Sequence, residues 1–209
     1  MKNYGIDLRK HINDISKEIF RKSIHICAAF IPPFLYICKN VILILLFCVI
    51  CLYVVCEFLR LKGKTIPIIS AITQAAARSR DKNHFVLGPV TLAVGILITA
   101  LIFPPEISSI GIYSLAFGDG LASLSGKLFG KQKIPFTHGK TVVGSLTCFV
   151  AIFIVTFLCQ KNCFFAFIIA LVGMMIELFP LKDFDNLLIP IILSALAKVL
   201  LLFPQIIFM

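Results

Sequence analysis

Long apolar stretches dominate this 209-residue chain and constrain its fold more than any other feature. Hydrophobic residues make up 59% of the sequence and charged residues only 14%, whereas ordinary soluble domains carry about 25% charged residues. Because lipid offers no partner to an unpaired backbone N–H or C=O group, such stretches cross a membrane as helices. We therefore predict an all-α, polytopic integral membrane protein without a separate soluble domain.

About seven stretches are long enough to be transmembrane spans, each of which needs roughly 20 residues. The first contains Pro32 and Pro33, which predict a kink or a re-entrant segment there. We predict spans at 24–38, 41–59, 86–103, 107–125, 142–159, 163–181 and 187–203.

The charged N-terminal segment 1–22 precedes a single transmembrane domain, 23–209. In this segment four apolar residues recur at helical spacing with charges between them, which predicts an amphipathic helix on the membrane surface. They are Leu8, Ile12, Ile15 and Ile19.

Basic residues are distributed unequally between the predicted loops. Most lie in the N-terminal segment and in the 60–85 and 126–141 loops, whereas the loops on the opposite side carry only Lys39 and Lys161. Because basic loops stay in the cytoplasm, the pattern predicts a cytoplasmic N-terminus and an external C-terminus. We expect the protein in a bacterial cytoplasmic membrane, with its polar residues facing the cytoplasm.

Asp119 is the residue whose position within an apolar span is hardest to explain by membrane insertion alone. A carboxylate within a span costs about 2.5–3.5 kcal/mol on insertion scales and usually marks a functional site. Small residues surround it, including Gly118, Gly120 and Gly126, and close helix packing is the alternative explanation for these glycines. Packing does not explain the carboxylate, so we predict that Asp119 binds a metal ion or accepts a proton.

The loop that follows Asp119 is rich in lysine and glycine. Backbone N–H groups at Gly126 and Gly130 would approach a polyphosphate, and lysines would neutralise its charge. Lys140 and Thr141 open the fifth span, where a helix N-terminus favours an anion. The alternative is a topogenic loop that touches anionic lipid. The predicted phosphate-binding lysines are Lys127, Lys131, Lys133 and Lys140.

The tripeptide Gly139-Lys140-Thr141 is similar to the end of a P-loop. Ile134 stands where that motif requires its first glycine, and no strand is predicted before it. The sequence therefore excludes a P-loop NTPase.

Three further polar groups lie at the cytoplasmic ends of predicted spans. Asp185 and Asn186 offer the oxygen ligands that Mg²⁺ or Ca²⁺ prefers, and a polar turn between spans is the alternative. Membrane-surface anchoring would equally explain the pair Arg21-Lys22. The remaining candidates for the site are Asp81, His84 and Glu177.

The ordered set of these motifs resembles the CTP-dependent lipid alcohol kinases, which include dolichol kinase, phytol kinase and CTP-dependent diacylglycerol kinase. The motifs are Arg21-Lys22-x-x-His25, Asp81-x-x-His84, Leu87-Gly88-Pro89, Ala116-Phe-Gly118-Asp119-Gly120, Lys140-Thr141-x-x-Gly144, Glu177-x-x-Pro180 and Asp185-Asn186. In that family the residues needed for phosphorylation correspond to Arg21, Lys22, Asp119 and Gly126.

The resemblance implies transfer of the γ-phosphoryl group of CTP to the hydroxyl of a lipid alcohol, of the polyprenol or diacylglycerol type, with Mg²⁺ as cofactor. Lys140 and the loop lysines would hold the phosphates, Arg21 and Lys22 would contact the transferring group, and membrane lipids rather than nucleic acid would be the partners. Phosphatidate cytidylyltransferase is more distantly similar, but its carboxylate array is missing here. CDP-lipid synthesis remains one alternative, and a non-enzymatic transporter or lipid-binding protein is another.

Overall fold

The computed structural model describes residues 2–64, 73, 84–137, 139–179 and 183–202, with side chains from residue 15 onward. Within these ranges the regular structure is helical, and an isolated bridge between Lys133 and Thr141 is the β-type pairing found. The all-α prediction is therefore confirmed for the part of the chain that is described.

The described residues contain eight α-helices, which we label in chain order. A 3-10 turn, Ala28–Phe30, separates α1 from α2, and a π-helical segment, Ser114–Asp119, separates α4 from α5. The helices are α1 Lys2–Cys27, α2 Ile31–Leu61, α3 Gly88–Ile102, α4 Pro105–Tyr113, α5 Gly120–Phe129, α6 Val142–Gln160, α7 Cys163–Leu178 and α8 Asp185–Leu202.

The lengths of these helices are those of a membrane protein. Four helical stretches of the described chain are long and apolar enough to cross a membrane, while α3 and α7 are apolar but shorter. The four are Ile15–Leu61, Pro105–Phe129, Val142–Gln160 and Asp185–Leu202. The first stretch covers both of the first two predicted spans.

The chain turns back within that first stretch. Cys38 has a non-helical backbone (φ −150°, ψ 62°), whereas Pro32 and Pro33 occupy the first turn of α2, where proline costs no hydrogen bond. Lys39 Nζ donates to the carbonyl of Phe103 (3.0 Å), and the N–H of Val86 donates to Glu57 (2.9 Å). The second half of α2 therefore runs antiparallel to α3.

The N-terminal helix α1 is continuous from Lys2 to Cys27, across the predicted segment boundary at residue 22. Its buried stripe is Glu18, Lys22 and His25. Ile19, one of the four apolar positions of the predicted amphipathic helix, is 48% exposed. The polar side of α1 packs inward because it has polar partners there.

The core lies where α8 packs against α3 and α4, and where α6 packs against α5 and α7. Ile110, Ile152, Ile169 and Leu193 are fully buried in it. Close packing at Gly95 brings α8 so near to α3 that an added Cβ would lie 2.5 Å from the carbonyl of Asn186. This contact fixes the beginning of α8 against α3.

Candidate functional site

Asp119 lies at the end of the π-helical segment and joins it to α1. Lys22 donates a hydrogen bond from Nζ to Asp119 Oδ2, and His25 Nδ1 lies 3.0 Å from the same oxygen. Lys22 and Asp119 are each 2% exposed. Because a buried carboxylate requires a charged or hydrogen-bonding partner, the Lys22–Asp119–His25 cluster satisfies the acid that the sequence singled out.

A π-helical turn inside an α-helix is rare and is frequently found at functional sites. Here it spans Ser114–Asp119 and places Asp119 at its last position. The unusual backbone and the buried acid therefore coincide.

A cavity lies beside this cluster at the same end of the bundle. Its space measures about 480 Å³ when the part open to solvent is counted. Three segments distant in sequence meet in its wall, namely 21–25, 86–92 and 183–186. The lining residues are Arg21, Lys22, Ile24, His25, Val86, Gly88, Pro89, Leu92, Asp183, Asp185 and Asn186.

Arg21 contributes a guanidinium to the cavity. Its Nη2 donates to Glu18 Oε1, while its Nε is buried and has no hydrogen-bond partner among the described residues. Lys127 Nζ lies 2.7 Å from Glu18 Oε2, so Glu18 joins α1 to α5. An unpaired buried N–H costs about 1–3 kcal/mol, which makes Arg21 Nε a position for an anion or a water molecule.

A second ion pair lies close to the first. Lys140 pairs with Glu177 Oε1, and Glu177 Oε2 is buried without a hydrogen-bond partner among the described residues. The charges of Lys22, Asp119, Lys140 and Glu177 all act on the buried thiol of Cys148. The two predicted site residues Lys140 and Glu177 therefore contact each other near the Lys22–Asp119 pair.

Asp185 and Asn186 form the first turn of α8. Asp185 Oδ1 accepts a hydrogen bond from the N–H of Asn186 (2.9 Å), and its carboxylate interacts electrostatically with Asp119, Lys22 and Lys140. Asn186 Nδ2 lies 3.3 Å from Thr91 Oγ1 and 3.5 Å from the carbonyl of Gly88. Asp185 and Asn186, two of the predicted metal ligands, thus line the same cavity as the cations of α1.

These donors fit one kind of magnesium site. Among the described residues no group of three or more His, Cys, Asp or Glu side chains lies close enough to hold a metal ion. A closed protein cage is therefore not formed in this part of the chain. Mg²⁺ that binds together with phosphates needs only one or two carboxylates, and Asp185 and Asn186 in the cavity wall match that requirement.

Close packing surrounds Gly126 and Gly130, which are predicted to approach a polyphosphate, and also Gly118 and Gly120 beside Asp119. A Cβ on Gly126 would lie 2.9 Å from Thr141 Oγ1, and a Cβ on Gly130 would overlap the carbonyl of Gly126. Gly118 packs against Ile152, and Gly120 packs against Ile26. The alternative of a packing surface therefore explains these four residues.

Thr141 caps α6, since its Oγ1 accepts from the N–H of Gly144 (3.2 Å). Lys131 and Lys133 have exposed side chains in the loop before it. The side chain of His84 is also exposed, while its carbonyl accepts a hydrogen bond from Arg60 (2.8 Å). Asp81 lies outside the described residues.

Two features of the site had only a partial signal in the sequence. His25 contacts Asp119 together with Lys22. Its signal was the spacing Lys22-x-x-His25, which puts both residues on one helix face. Glu57, fully buried, binds Arg60 and the backbone of Val86. An acid near the end of an apolar span was its signal.

No family model and no solved structure matches the chain. Among curated proteins it is 26% identical over 148 residues to "Probable phytol kinase 1, chloroplastic" of Oryza sativa, covering 62% of this chain and 47% of the relative. It is 32% identical over 93 residues to "Phytol kinase 1, chloroplastic" of Arabidopsis thaliana, covering 43% of this chain and 30% of the relative. The chain thus spans less than half the length of these plant relatives.

Similarity extends along almost the whole length of an archaeal relative. The chain is 30% identical over 187 residues to an uncharacterized protein of Methanocaldococcus jannaschii, and the match covers 85% of this chain and 91% of the relative. The chain therefore belongs to the same protein family as this archaeal protein, and it is similar to the plant phytol kinases over part of their length.

Proposed function

We propose that this protein is a lipid alcohol kinase that transfers the γ-phosphoryl group of CTP to a hydroxyl at the cytoplasmic face of the membrane. The observation that carries the proposal is the cavity in which Arg21, Lys22 and His25 face Asp185 and Asn186. Cations suit phosphates, and carboxylates suit the metal that accompanies them. Similarity to proteins named phytol kinase supports an alcohol as acceptor.

The chain's own residues would align the phosphates and neutralise their charge, which is most of what phosphoryl transfer requires. Arg21 would donate from Nε, which has no described hydrogen-bond partner. Lys22, held by Asp119, would contact the transferring group. Lys131 and Lys133, whose side chains are exposed, would approach the outer phosphates, with Lys127 beside them.

Lys140 would change partner during the reaction. It pairs with Glu177 in this structure, so contact with a phosphate requires Lys140 to exchange a carboxylate for the nucleotide. Thr141 begins α6 next to it, where the helix N-terminus favours the same anion.

Mg²⁺ would neutralise charge on the phosphates, and Asp185, Asn186 and Asp119 are the residues that would hold it. Both contacts of Asp119 involve Oδ2, which leaves Oδ1 for the metal or for the proton of the acceptor hydroxyl. His25, adjacent to Asp119, orients that carboxylate.

The membrane arrangement that we propose has about seven spans, with the polar end of the bundle in the cytoplasm. Positive loops support this orientation, and the antiparallel course of α2 and α3 supports counting two spans within Ile15–Leu61. The lipid acceptor would reach the cavity from the bilayer and present its hydroxyl at the polar end.

The test uses purified protein in detergent with Mg²⁺ and a panel of phytol, farnesol, dolichol, undecaprenol and diacylglycerol. Each is offered CTP labelled at either the γ- or the α-phosphate, with ATP in parallel. The kinase proposal requires γ-label in the lipid and CDP as coproduct. Entry of α-label with release of pyrophosphate would instead establish the cytidylyltransferase alternative, and absence of turnover with every donor would support a non-enzymatic protein.

A further inference from the structure

The hydrogen bonds of Asn186 determine which way its side-chain amide points. Asn186 is 5% exposed and Thr91 is 9% exposed, and Asn186 Nδ2 lies 3.3 Å from Thr91 Oγ1. The Thr91 hydroxyl lies 3.0 Å from the carbonyl of Gly88 and 3.2 Å from that of Leu87. Both carbonyls can only accept, so the single hydroxyl hydrogen of Thr91 points to one of them.

Thr91 Oγ1 therefore acts as an acceptor on the side that faces Asn186. The group opposite it must be a donor, which is the NH₂ of the amide and not its oxygen. The carbonyl of Gly88, 3.5 Å from the same Nδ2, imposes the same choice. This fixes the amide orientation and leaves Asn186 Oδ1 as the atom offered to a ligand in the cavity that Asn186 lines.

The end of α3 that carries Thr91 is itself held firmly. Glu57 Oε1 accepts from the N–H of Val86 (2.9 Å), and Arg60 Nη2 donates to the carbonyl of His84 (2.8 Å). Arg60 also forms two hydrogen bonds to Glu57, of 2.7 and 2.8 Å. The backbone leading into α3 is therefore fastened to α2, and the position of Thr91 is set before any ligand binds.

We propose that Thr91 is a positioning residue, which holds the Asn186 amide so that its oxygen is presented to a divalent cation bound with the nucleotide. The inference rests on the proposed function for the role of that cation in the reaction. What it adds is the orientation of one ligand, the Asn186 amide. Outer hydrogen bonds of this kind typically contribute 10–100-fold to metal affinity.

The chain offers a matched control for this test. Thr99 is also buried on α3, and its hydroxyl donates to the carbonyl of Gly95 (2.7 Å). It lies about two turns from Thr91, at a distance from the cavity residues of α3. Thr91→Val and Thr99→Val therefore make the same chemical change on the same helix, while only the first removes the acceptor for Asn186.

The experiment titrates Mn²⁺ into the purified full-length protein with a non-hydrolysable CTP analogue and measures free Mn²⁺ by electron paramagnetic resonance. Thr91→Val should weaken Mn²⁺ binding by about 10–100-fold. Thr99→Val and Thr91→Ser, which keeps the hydroxyl, should bind within a few-fold of wild type. If Thr91→Val does not fold, Thr91→Ala replaces it in the experiment, and the same weakening of Mn²⁺ binding is expected.

Equal Mn²⁺ affinity of Thr91→Val and Thr99→Val would overturn the proposal, as would absence of Mn²⁺ binding by wild-type protein. These outcomes are separate from the fate of the proposed function. Wild-type protein that binds Mn²⁺ in a Thr91-dependent manner but phosphorylates no alcohol would refute the kinase and leave the positioning role intact. If the protein transfers the phosphoryl group and Thr91→Val needs the same Mg²⁺ concentration as wild type, the kinase proposal stands and the positioning role of Thr91 is refuted.

Discussion

Lys22 and Asp119 are separated by 97 positions in the sequence and form a buried ion pair between α1 and the π-helical segment. Each is 2% exposed. In an apolar interior neither charge is tolerated without the other, so the pair couples the docking of the N-terminal helix to the burial of the acid.

Removal of one partner should therefore destabilise the fold more than removal of both. Lys22→Met or Asp119→Leu alone leaves a buried charge without its partner, at a cost of about 3–5 kcal/mol. The double variant removes both charges and should lose less stability than either single variant. The free energy of unfolding of the three variants is measured in mixed micelles at increasing denaturant concentration. Additive losses would show that the pair contributes no coupling energy.

Asp119 should also be needed for activity in a variant that keeps the fold. Asp119→Asn retains the side-chain shape and a hydrogen-bond acceptor for Lys22, but it loses the charge that a metal ligand or proton acceptor requires. We expect transfer of γ-label from CTP to fall by about 10²–10⁴-fold. Glu106→Gln, an exposed acid in the first turn of α4, is the control and should leave the rate unchanged. A similar rate for both variants would contradict a role for Asp119 in the chemistry.

The apolar stretches predicted the helices well, because lipid leaves the chain few other structures. The predicted span 142–159 corresponds to the helix Val142–Gln160, and 163–181 corresponds to Cys163–Leu178. The reversal at Cys38 lies between the predicted spans 24–38 and 41–59, where Lys39 and Asn40 interrupt the apolar run. The π-helical segment Ser114–Asp119, in contrast, had no signal of this kind. Hydropathy reports length and burial in lipid, and it carries no information about where a backbone departs from helical geometry.

The sequence predicted which residues belong to the site better than it predicted which of them contact each other. Lys22, Asp119 and Asp185 were identified from their cost in a membrane or their chemistry, and the fold brings them to one end of the bundle. The partner of Lys140, in contrast, is Glu177 on another helix. Such pairs depend on how helices pack, and a single sequence contains no measure of distance between them. The close contacts at Gly126 and Gly130 depend on helix packing in the same way.

The contact between α3 and α8 predicts opposite effects for two glycines of the same helix. A Cβ on Gly95 would lie 2.5 Å from the carbonyl of Asn186 and 3.0 Å from Cα of Leu187, whereas one on Gly88 would meet nothing within 4 Å. Backbone atoms cannot move aside easily, so Gly95→Ala should lose about 1–3 kcal/mol of stability. Gly88→Ala should be neutral or slightly stabilising.

Thermal unfolding in one detergent compares the two variants directly. Gly95→Ala should also weaken Mn²⁺ binding, because it displaces the first turn of α8, which carries Asn186. Equal midpoints for Gly88→Ala and Gly95→Ala would mean that α8 does not approach α3 as closely as described.

Glu57 gives the last prediction, since it is fully buried and accepts three hydrogen bonds, two from Arg60 and one from the N–H of Val86. Glu57→Leu leaves the Val86 N–H without its acceptor, at a cost of about 1–3 kcal/mol. Glu57→Gln keeps an acceptor for Val86 and should lose less. Hydrogen exchange at the Val86 amide measures the contact directly, and it should be fast in Glu57→Leu and slow in wild type. Because Val86 lines the cavity, nucleotide affinity should follow the same order, and unchanged exchange in Glu57→Leu would show that Glu57 does not hold this wall.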